Sequence, residues 1–192
     1  MTGGVGMGKS TAATFLQAAG AKVVDTDRLA HDLVQPGQPA LVEIQAAFGN
    51  KIISPDGALC RGDLANVVFS DTVARKKLEA ILHPRIRERW LSQIEIWRKE
   101  NCPLAVVVIP LLFETQAESH FDKIICVACA ENSRRERLQA RGWAPDQITN
   151  RIAAQMPVTE KIARADFLVW SEGDVQNHSR QVDAILRRIS QN

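Results

Sequence analysis

Near its amino end the chain reads Gly3-Gly4-Val5-Gly6-Met7-Gly8-Lys9-Ser10-Thr11, which completes the pattern G-x-x-x-x-G-K-[ST]. The glycines let the backbone turn successive N–H groups inward around an anion, and they leave room for a phosphate to approach. A helix predicted over residues 10–19 points the positive end of its dipole at the same place. The pattern predicts a nucleotide-phosphate site, in which Lys9 reaches the outer phosphates and the Ser10 hydroxyl holds Mg²⁺. The residues expected to contact the nucleotide are Gly4, Val5, Gly6, Met7, Gly8, Lys9, Ser10 and Thr11.

Short segments rich in Val, Ile and Leu alternate with helical stretches, as parallel strands covered on both faces should. The predicted strands are residues 21–24, 104–109, 123–129 and 167–170. We therefore expect an α/β fold, in which a parallel sheet of the phosphate-loop NTPase type is sandwiched by helices. A phosphate loop normally follows a buried strand, but only Met1 and Thr2 precede the loop. This first strand is expected to be truncated, with the natural start upstream and Met1 at its last apolar position.

Residues 28–101 show no strand pattern and are expected to form a helical insertion. Its last helix is predicted to begin at Pro84, because proline suits the first turn of a helix. Apolar residues then recur at helical spacing and predict a packing face made of Ile86, Trp90, Ile94 and Trp97. We therefore divide the chain into this insertion and a nucleotide-binding core of residues 1–27 and 102–192. A closing helix is predicted around Val182, Ile185, Leu186 and Ile189.

The composition is that of a globular protein with a core, since 45% of the 192 residues are apolar and 24% are charged. The longest apolar run, residues 104–113, is far shorter than the roughly 20 residues of a membrane helix. Without a membrane segment or a recognisable signal peptide, we expect a cytoplasmic protein. A net charge of +2 gives no argument for nucleic acid. Cys126 and Cys129 fall on one predicted strand but on opposite faces, which favours structural thiols over a redox or zinc site.

Carboxylates follow two of the predicted strands, where α/β folds gather their ligands. Asp25 and Asp27 come after the first of these strands. Asp27 is suited to orient a substrate hydroxyl and to accept its proton. The alternative for either residue is the N-cap of a helix over residues 28–34. Glu114 is the acid nearest to the end of the next strand, and its alternative is an ordinary loop charge.

A cationic segment at residues 132–165 has the pattern of a closing lid. Asn132 or Ser133 is predicted to cap a helix, with arginines along one face and a second cationic helix after it. Arginines on a lid neutralise the charge of a transferring phosphoryl group and exclude water, although a solvated charged face is the alternative. The side chains concerned are Arg134, Arg137 and Arg141 on the first helix, and Arg151 and Gln155 on the second.

Five segments together resemble the dephospho-CoA kinase family, in matching order from Thr2 to about Asp166. They are the phosphate loop, Val24-Asp25-Thr26-Asp27, Leu82-His83-Pro84-Arg85-Ile86, Pro110-Leu111-Leu112-Phe113-Glu114 and Arg151-Ile152-Ala153-Ala154-Gln155. The resemblance implies transfer of a phosphoryl group from ATP to the ribose 3′-hydroxyl of dephospho-CoA, which is the last step of coenzyme A synthesis. It also implies that the insertion binds the substrate and that residues 132–165 are the lid.

Roles for single residues follow from this resemblance. The catalytic residues it implies are Asp27, Lys9, Arg137 and Arg141. The substrate-binding residues it implies are Asp27, His83, Glu114, Arg151 and Gln155. For His83, a hydrogen bond at a helix boundary is the alternative. The implied partners are dephospho-CoA and ATP with Mg²⁺, and neither nucleic acid nor a membrane.

Some positions depart from the pattern of the family. Met7 replaces a small polar residue of the loop, and Gly142 stands where an acid is usual. Residues 170–173 lack the asparagine often found near the adenine, so base recognition is left unassigned. The alternative function is another small-molecule or nucleotide kinase with the same loop, or a nucleotide-sensing module without turnover. A GTPase is excluded because no Asn-Lys-x-Asp motif occurs.

Overall fold

The structure is a computed structural model that describes residues 1–191. The chain divides into two compact units, one made of Met1–Val24 with the chain from Asn101 onward, the other of Asp25–Glu100. In chain order the elements are α1 (Lys9–Ala18), β1 (Lys22–Asp25), α2 (Thr26–Leu33), α3 (Pro39–Phe48), α4 (Arg61–Ser70), α5 (Thr72–Lys99), β2 (Ala105–Val108), β3 (Ile125–Ala128), α6 (Glu131–Gln139), α7 (Pro145–Ala153), α8 (Val158–Ala163), β4 (Phe167–Trp170) and α9 (Val175–Ile189). Short 3-10 turns lie at Asn50–Ile52 and Glu118–His120.

The strands of the first unit form one layer, although Met1 and Thr2 are too short a segment to count as a strand. β1 pairs with β2, and β3 pairs with β4 in parallel. Met1 bridges to β2, since its ammonium donates to Val107 O at 2.8 Å and its carbonyl accepts from Ile109 N at 2.9 Å. Thr2 bridges to β3 through Ile125 O and Val127 N. The residues ahead of the phosphate loop therefore lie in the middle of the layer, and the predicted α/β arrangement is confirmed.

Helices cover both faces of this layer. On one face α1 and α9 pack on alternate strand residues, in a buried cluster that includes Leu16, Val108, Val127, Val169 and Ile185. On the other face Ala128 and the following Cys129 pack with Met7 of the loop and with α8. The predicted closing helix is confirmed as α9. Alternation of buried side chains to both faces explains why these strands read as continuous apolar runs.

The second unit is helical, with α2 to α5 and a small core. Residues buried in this core are Val34, Ile44, Ile52, Leu64 and Val68. Trp90 and Trp97 of α5 are also buried, at 3% and 8% exposure, so the predicted packing face is confirmed at these two positions.

The prediction that the last helix of the insertion begins at Pro84 is wrong. α5 begins at Thr72, where the Asp71 carboxylate accepts from Val73 N at 2.7 Å, and it continues through Pro84. A proline inside a helix lacks the N–H that would bond to the carbonyl four residues earlier, which is Ala80 O for Pro84. In this turn the Arg85 guanidinium donates to Ile81 O at 2.6 Å. Packing of α5 against α2, α3 and α4 therefore outweighs the local cost of the proline.

Within residues 1–191, no helix combines the length and the apolar character that crossing a membrane requires.

Candidate functional site

The phosphate loop passes so close to its neighbours that glycine is required at particular positions. Gly3 has a φ of 142°, and a Cβ there would lie 2.2 Å from Val127 O of β3. Gly6 has a φ of 77°, and its Cβ would lie 2.9 Å from Leu138 Cγ of α6. The loop is thus wedged between the sheet and the helix that opens the lid segment.

Gly6→Ala is expected to lower the free energy of unfolding by about 2 kcal/mol, because it adds backbone strain to a steric clash with Leu138. Chemical denaturation measures this change. Gly62→Ala is the matched control, since Gly62 lies in α4 and a Cβ there meets no atom within 4 Å. Alanine at that position is expected to stabilise by about 0.5 kcal/mol. Equal effects at the two sites would contradict the wedged geometry.

The loop ends at the start of α1, where Gly8 is the N-cap and has a φ of 84°. Glycine carries no side chain to cap the helix, so the N–H groups of the first turn are left for another acceptor. Ser10 and Thr11 of this turn are exposed. Lys9 bends back over the loop, and its Nζ donates to Gly4 O at 2.9 Å. Backbone donors and a cation therefore converge at one place, which is the arrangement that binds a phosphate chain.

Two side chains from the lid segment hold the loop at Val5. Val5 N donates to Gln155 Oε1 at 2.9 Å, and Val5 O accepts from Arg134 Nε at 2.9 Å. Arg134 Nη2 also donates to Gln155 Oε1, at 3.3 Å. Arg134 is only 5% exposed, and burial lowers the pKa of its guanidinium. In this structure the Val5 N–H, which the sequence predicts to face the phosphates, is thus directed at Gln155, and Arg134 is no solvated surface charge.

Ser171 is a further residue at the loop, and sequence reasoning missed it. Its Oγ donates to Met7 O at 2.9 Å and accepts from Arg137 Nη1 at 2.8 Å. Arg137 Nη2 donates to the carbonyl of the same serine. Its place in the sequence could have indicated this role. Ser171 directly follows a predicted strand, at the edge of the sheet where α/β folds bind their ligands. The Met7 side chain is 1% exposed beside Ala128, so its size is used in packing.

The predicted cap of the first lid helix is wrong. α6 begins at Glu131, before Asn132 and Ser133; its N-cap residue is Ala130, and no side chain caps the helix. Glu172 accepts from Ala130 N at 2.7 Å and from Ser133 Oγ at 2.9 Å. These hydrogen bonds lower the pKa of Glu172. No local pattern reveals these contacts, because Glu172 lies 42 residues after Ala130 in the chain.

The predicted alignment of the lid cations is wrong in part. α6 ends at Gln139, and Gly142 turns the chain with a φ of 81°, so Arg141 lies outside the helix that carries Arg134 and Arg137. Arg141 is exposed. On the second helix, Arg151 lies in the last turn of α7 and Gln155 lies beyond its end. The Arg151 guanidinium stacks over the Trp143 ring at 4.1 Å, and burial lowers its pKa.

Glu114 is engaged by a lysine that is fully buried. Lys161 of α8 is 0% exposed, and its Nζ lies 2.7 Å from Glu114 Oε1 and 2.6 Å from Pro110 O. The same carboxylate oxygen accepts from Met156 N at 2.8 Å. Glu114 is thus not an unattached loop charge. Its contacts join the turn after β2 to Met156 and to α8, which both lie in the lid segment.

The second unit carries the two carboxylates and the histidine singled out from sequence. Asp25 is the N-cap of α2 and accepts from Asp27 N at 2.8 Å, which decides the capping alternative in favour of Asp25. Asp27 lies in the first turn of α2 and is exposed. His83 lies inside α5, so the helix-boundary alternative is wrong, and burial lowers its pKa.

The cysteines are all free, and two of them are deeply buried. Burial raises the pKa of Cys126 to about 11 and also raises that of Cys129, so both stay as thiols near neutral pH. Among residues 1–191, no three or more His, Cys, Asp or Glu side chains form a group that could hold a metal ion.

Comparison with known proteins gives one consistent family. The family model for dephospho-CoA kinase matches residues 1–177. The dephospho-CoA kinase of Bdellovibrio bacteriovorus is 39% identical over 191 residues, which cover 100% of this chain and 95% of that protein. The dephospho-CoA kinase of Anaeromyxobacter dehalogenans is 43% identical over 187 residues, or 97% of this chain and 89% of that one.

Solved structures agree with these relatives. TT1252 from Thermus thermophilus aligns with a TM-score of 0.80 and 33% identity, over 97% of this chain and 94% of its own. The dephospho-CoA kinase from Campylobacter jejuni aligns with a TM-score of 0.70 and 28% identity, over 99% of this chain and 95% of its own. The expected fold class, an α/β sandwich of the phosphate-loop kinase type, is confirmed by these alignments.

Proposed function

The chain belongs to the dephospho-CoA kinase family, and on that premise we propose how its residues divide the work. It is a kinase that catalyses the last step of coenzyme A biosynthesis, in which ATP phosphorylates dephospho-CoA. The acceptor is the ribose 3′-hydroxyl, and the products are coenzyme A and ADP. The observation that carries the assignment of the ATP side is the uncapped start of α1 with Lys9 folded over the same loop.

ATP binds along the phosphate loop in this proposal. The phosphate-binding residues are Gly4, Val5, Gly6, Met7, Gly8, Lys9, Ser10 and Thr11. Lys9, whose Nζ lies over the loop at 2.9 Å from Gly4 O, reaches the outer phosphates in this proposal. The exposed Ser10 hydroxyl is a hard oxygen ligand next to Lys9, and it fits Mg²⁺ that takes its other ligands from water and phosphate. When bound with ATP, Mg²⁺ supplies positive charge against the phosphates.

Asp27 is the proposed base on the acceptor side. Because Asp25 provides the N-cap of α2, the carboxylate of Asp27 is not needed for that role. Asp27 orients the 3′-hydroxyl and accepts its proton as the γ-phosphoryl group arrives. The helical insertion of residues 28–101, with His83, holds the rest of dephospho-CoA.

The lid, residues 132–165, closes over the transferring group in this proposal. Arg137 and Arg141 bring positive charge to the γ-phosphate, and Arg151 binds dephospho-CoA. Glu114 and Gln155 support the site through the protein contacts described above, with Lys161 and with Val5. A cytoplasmic location is part of the proposal, since free cysteines suit a reducing compartment.

An ADP-release assay with several acceptors tests the proposed roles. Dephospho-CoA, nucleoside monophosphates and shikimate are offered separately, with Lys9→Ala as the negative control. Of the acceptors offered, only dephospho-CoA is expected to cause ADP release. Mass spectrometry is expected to find one added phosphate on its ribose. Release with a nucleoside monophosphate or shikimate instead would favour another small-molecule kinase.

A further inference from the structure

The Gly4–Val5 peptide has partners at both of its polar atoms. Its carbonyl, Gly4 O, accepts from Lys9 Nζ at 2.9 Å, and its N–H, on Val5, donates to Gln155 Oε1 at 2.9 Å. A peptide group is planar and rigid. Its orientation therefore fixes the direction of both hydrogen bonds together, and Lys9 and Gln155 are linked through a single peptide plane.

Arg134 closes this arrangement from the other side. Its Nε donates to Val5 O at 2.9 Å, and its Nη2 donates to Gln155 Oε1 at 3.3 Å. The guanidinium lies close against Gly4, since a Cβ there would come within 2.7 Å of Arg134 Nη2. One guanidinium thus holds both the glutamine and the next peptide of the loop, Val5–Gly6, so the two sides of Val5 are fixed together. A buried arginine with this geometry exchanges its bonds less readily than an exposed one.

We propose that Gln155 and Arg134 are positioning residues for Lys9: they fix the Gly4–Val5 peptide, and through Gly4 O they direct the Lys9 ammonium at the nucleotide phosphates. In this role they act through the loop backbone and Lys9. The inference rests on the proposed function of Lys9 in ATP binding. It also explains the choice of an amide at position 155, since Oε1 accepts two hydrogen bonds without placing a negative charge beside a polyanion.

A direct consequence is that the lid segment and the loop form one hydrogen-bonded assembly. Arg134 lies on the first lid helix, and Gln155 lies after the second, so two separate parts of the segment meet at Val5. Whatever moves these two side chains also turns the peptide that holds Lys9. The lid is thereby coupled to ATP binding even without a lid residue touching the nucleotide.

The first test measures the rate of amide hydrogen exchange at Val5. Nuclear magnetic resonance monitors this exchange in the protein without nucleotide. Gln155→Met keeps the length of the side chain and removes the acceptor. Exchange at Val5 is expected to become at least about tenfold faster, because a protected N–H loses its partner. Gln139→Ala, an exposed residue of α6, is the control and should leave Val5 exchange unchanged. Unchanged exchange in Gln155→Met would refute the hydrogen bond on which the inference depends.

The second test asks whether Gln155 acts through Lys9. ATP affinity is measured by calorimetry for wild type, Gln155→Met, Lys9→Ala and the double variant. Gln155→Met is expected to weaken ATP binding about tenfold in the wild-type background, and less than about twofold when Lys9 is already alanine. The same factor in both backgrounds would overturn the proposal, because it would mean that Gln155 supports the loop independently of Lys9.

Kinase activity separates a failure of this inference from a failure of the proposed function. Wild type without activity on dephospho-CoA would refute the proposed function, while the exchange and binding results still decide the inference. Wild type with activity and an additive double variant would refute the inference alone. Thermal melting of each variant checks folding, and Gln155→Ala provides a second test of the same acceptor.

Discussion

Asp27→Asn is expected to lower turnover with dephospho-CoA by at least about 10²-fold while ATP binding stays nearly unchanged. The amide keeps the size of the side chain and can still meet the 3′-hydroxyl, but it accepts no proton from it. The loss therefore falls on kcat and not on the Kd for ATP. Steady-state kinetics with saturating dephospho-CoA and calorimetric titration with ATP measure the two quantities separately.

Asp25→Asn is the matched control for this variant. Asp25 caps α2 through its side-chain oxygen, and asparagine caps helices about as well as aspartate. The same chemical change two residues earlier is thus expected to leave turnover within about threefold of wild type. Near-normal turnover in Asp27→Asn would remove Asp27 from the role of base. An equal loss in both variants would instead point to the local structure at the start of α2.

The sequence predicts best those strands and helices that depend on a short continuous segment of the chain. The strands were found within a few residues because buried parallel strands need continuous apolar runs, and β4 matches its prediction at Phe167–Trp170. α1 and α9 follow from the loop pattern and from apolar spacing. Pro84 gave a wrong prediction for the start of the last helix of the insertion. The preference of proline for the first turn of a helix is local, and packing along the whole of α5 outweighs it.

Contacts around the loop were hidden because they join residues far apart in the chain. Arg134 meets Val5 across 129 positions, and Ser171 meets Met7 across 164. Glu172 accepts from Ala130 N, the residue before α6, across 42 positions. In each case the partner is an ordinary polar residue, and no spacing rule connects it to the loop. The clustered arginines therefore predict a lid, but they do not predict what each arginine contacts.

Glu114→Ala is expected to lower the free energy of unfolding by about 3–5 kcal/mol, the cost of leaving a buried charge without its partner. Lys161 is 0% exposed, and without Glu114 its ammonium keeps only Pro110 O within hydrogen-bond distance among the contacts described above. Urea unfolding measures the change in the midpoint and in the slope. Glu95→Ala is the matched control, because the Glu95–Arg98 ion pair is exposed and is expected to contribute less than about 1 kcal/mol.

Lys161→Met separates the loss of an ion pair from the burial of an unpaired charge. The Glu114 side chain is 22% exposed and keeps its hydrogen bond from Met156 N, so this variant should lose less stability than Glu114→Ala. In the double variant the uncompensated ammonium is gone, and part of the stability lost in Glu114→Ala should return. A double variant less stable than Glu114→Ala would show that Lys161 stabilises this part of the lid segment even when Glu114 is absent. The buried pair would then no longer explain how Glu114 ties the turn after β2 to α8.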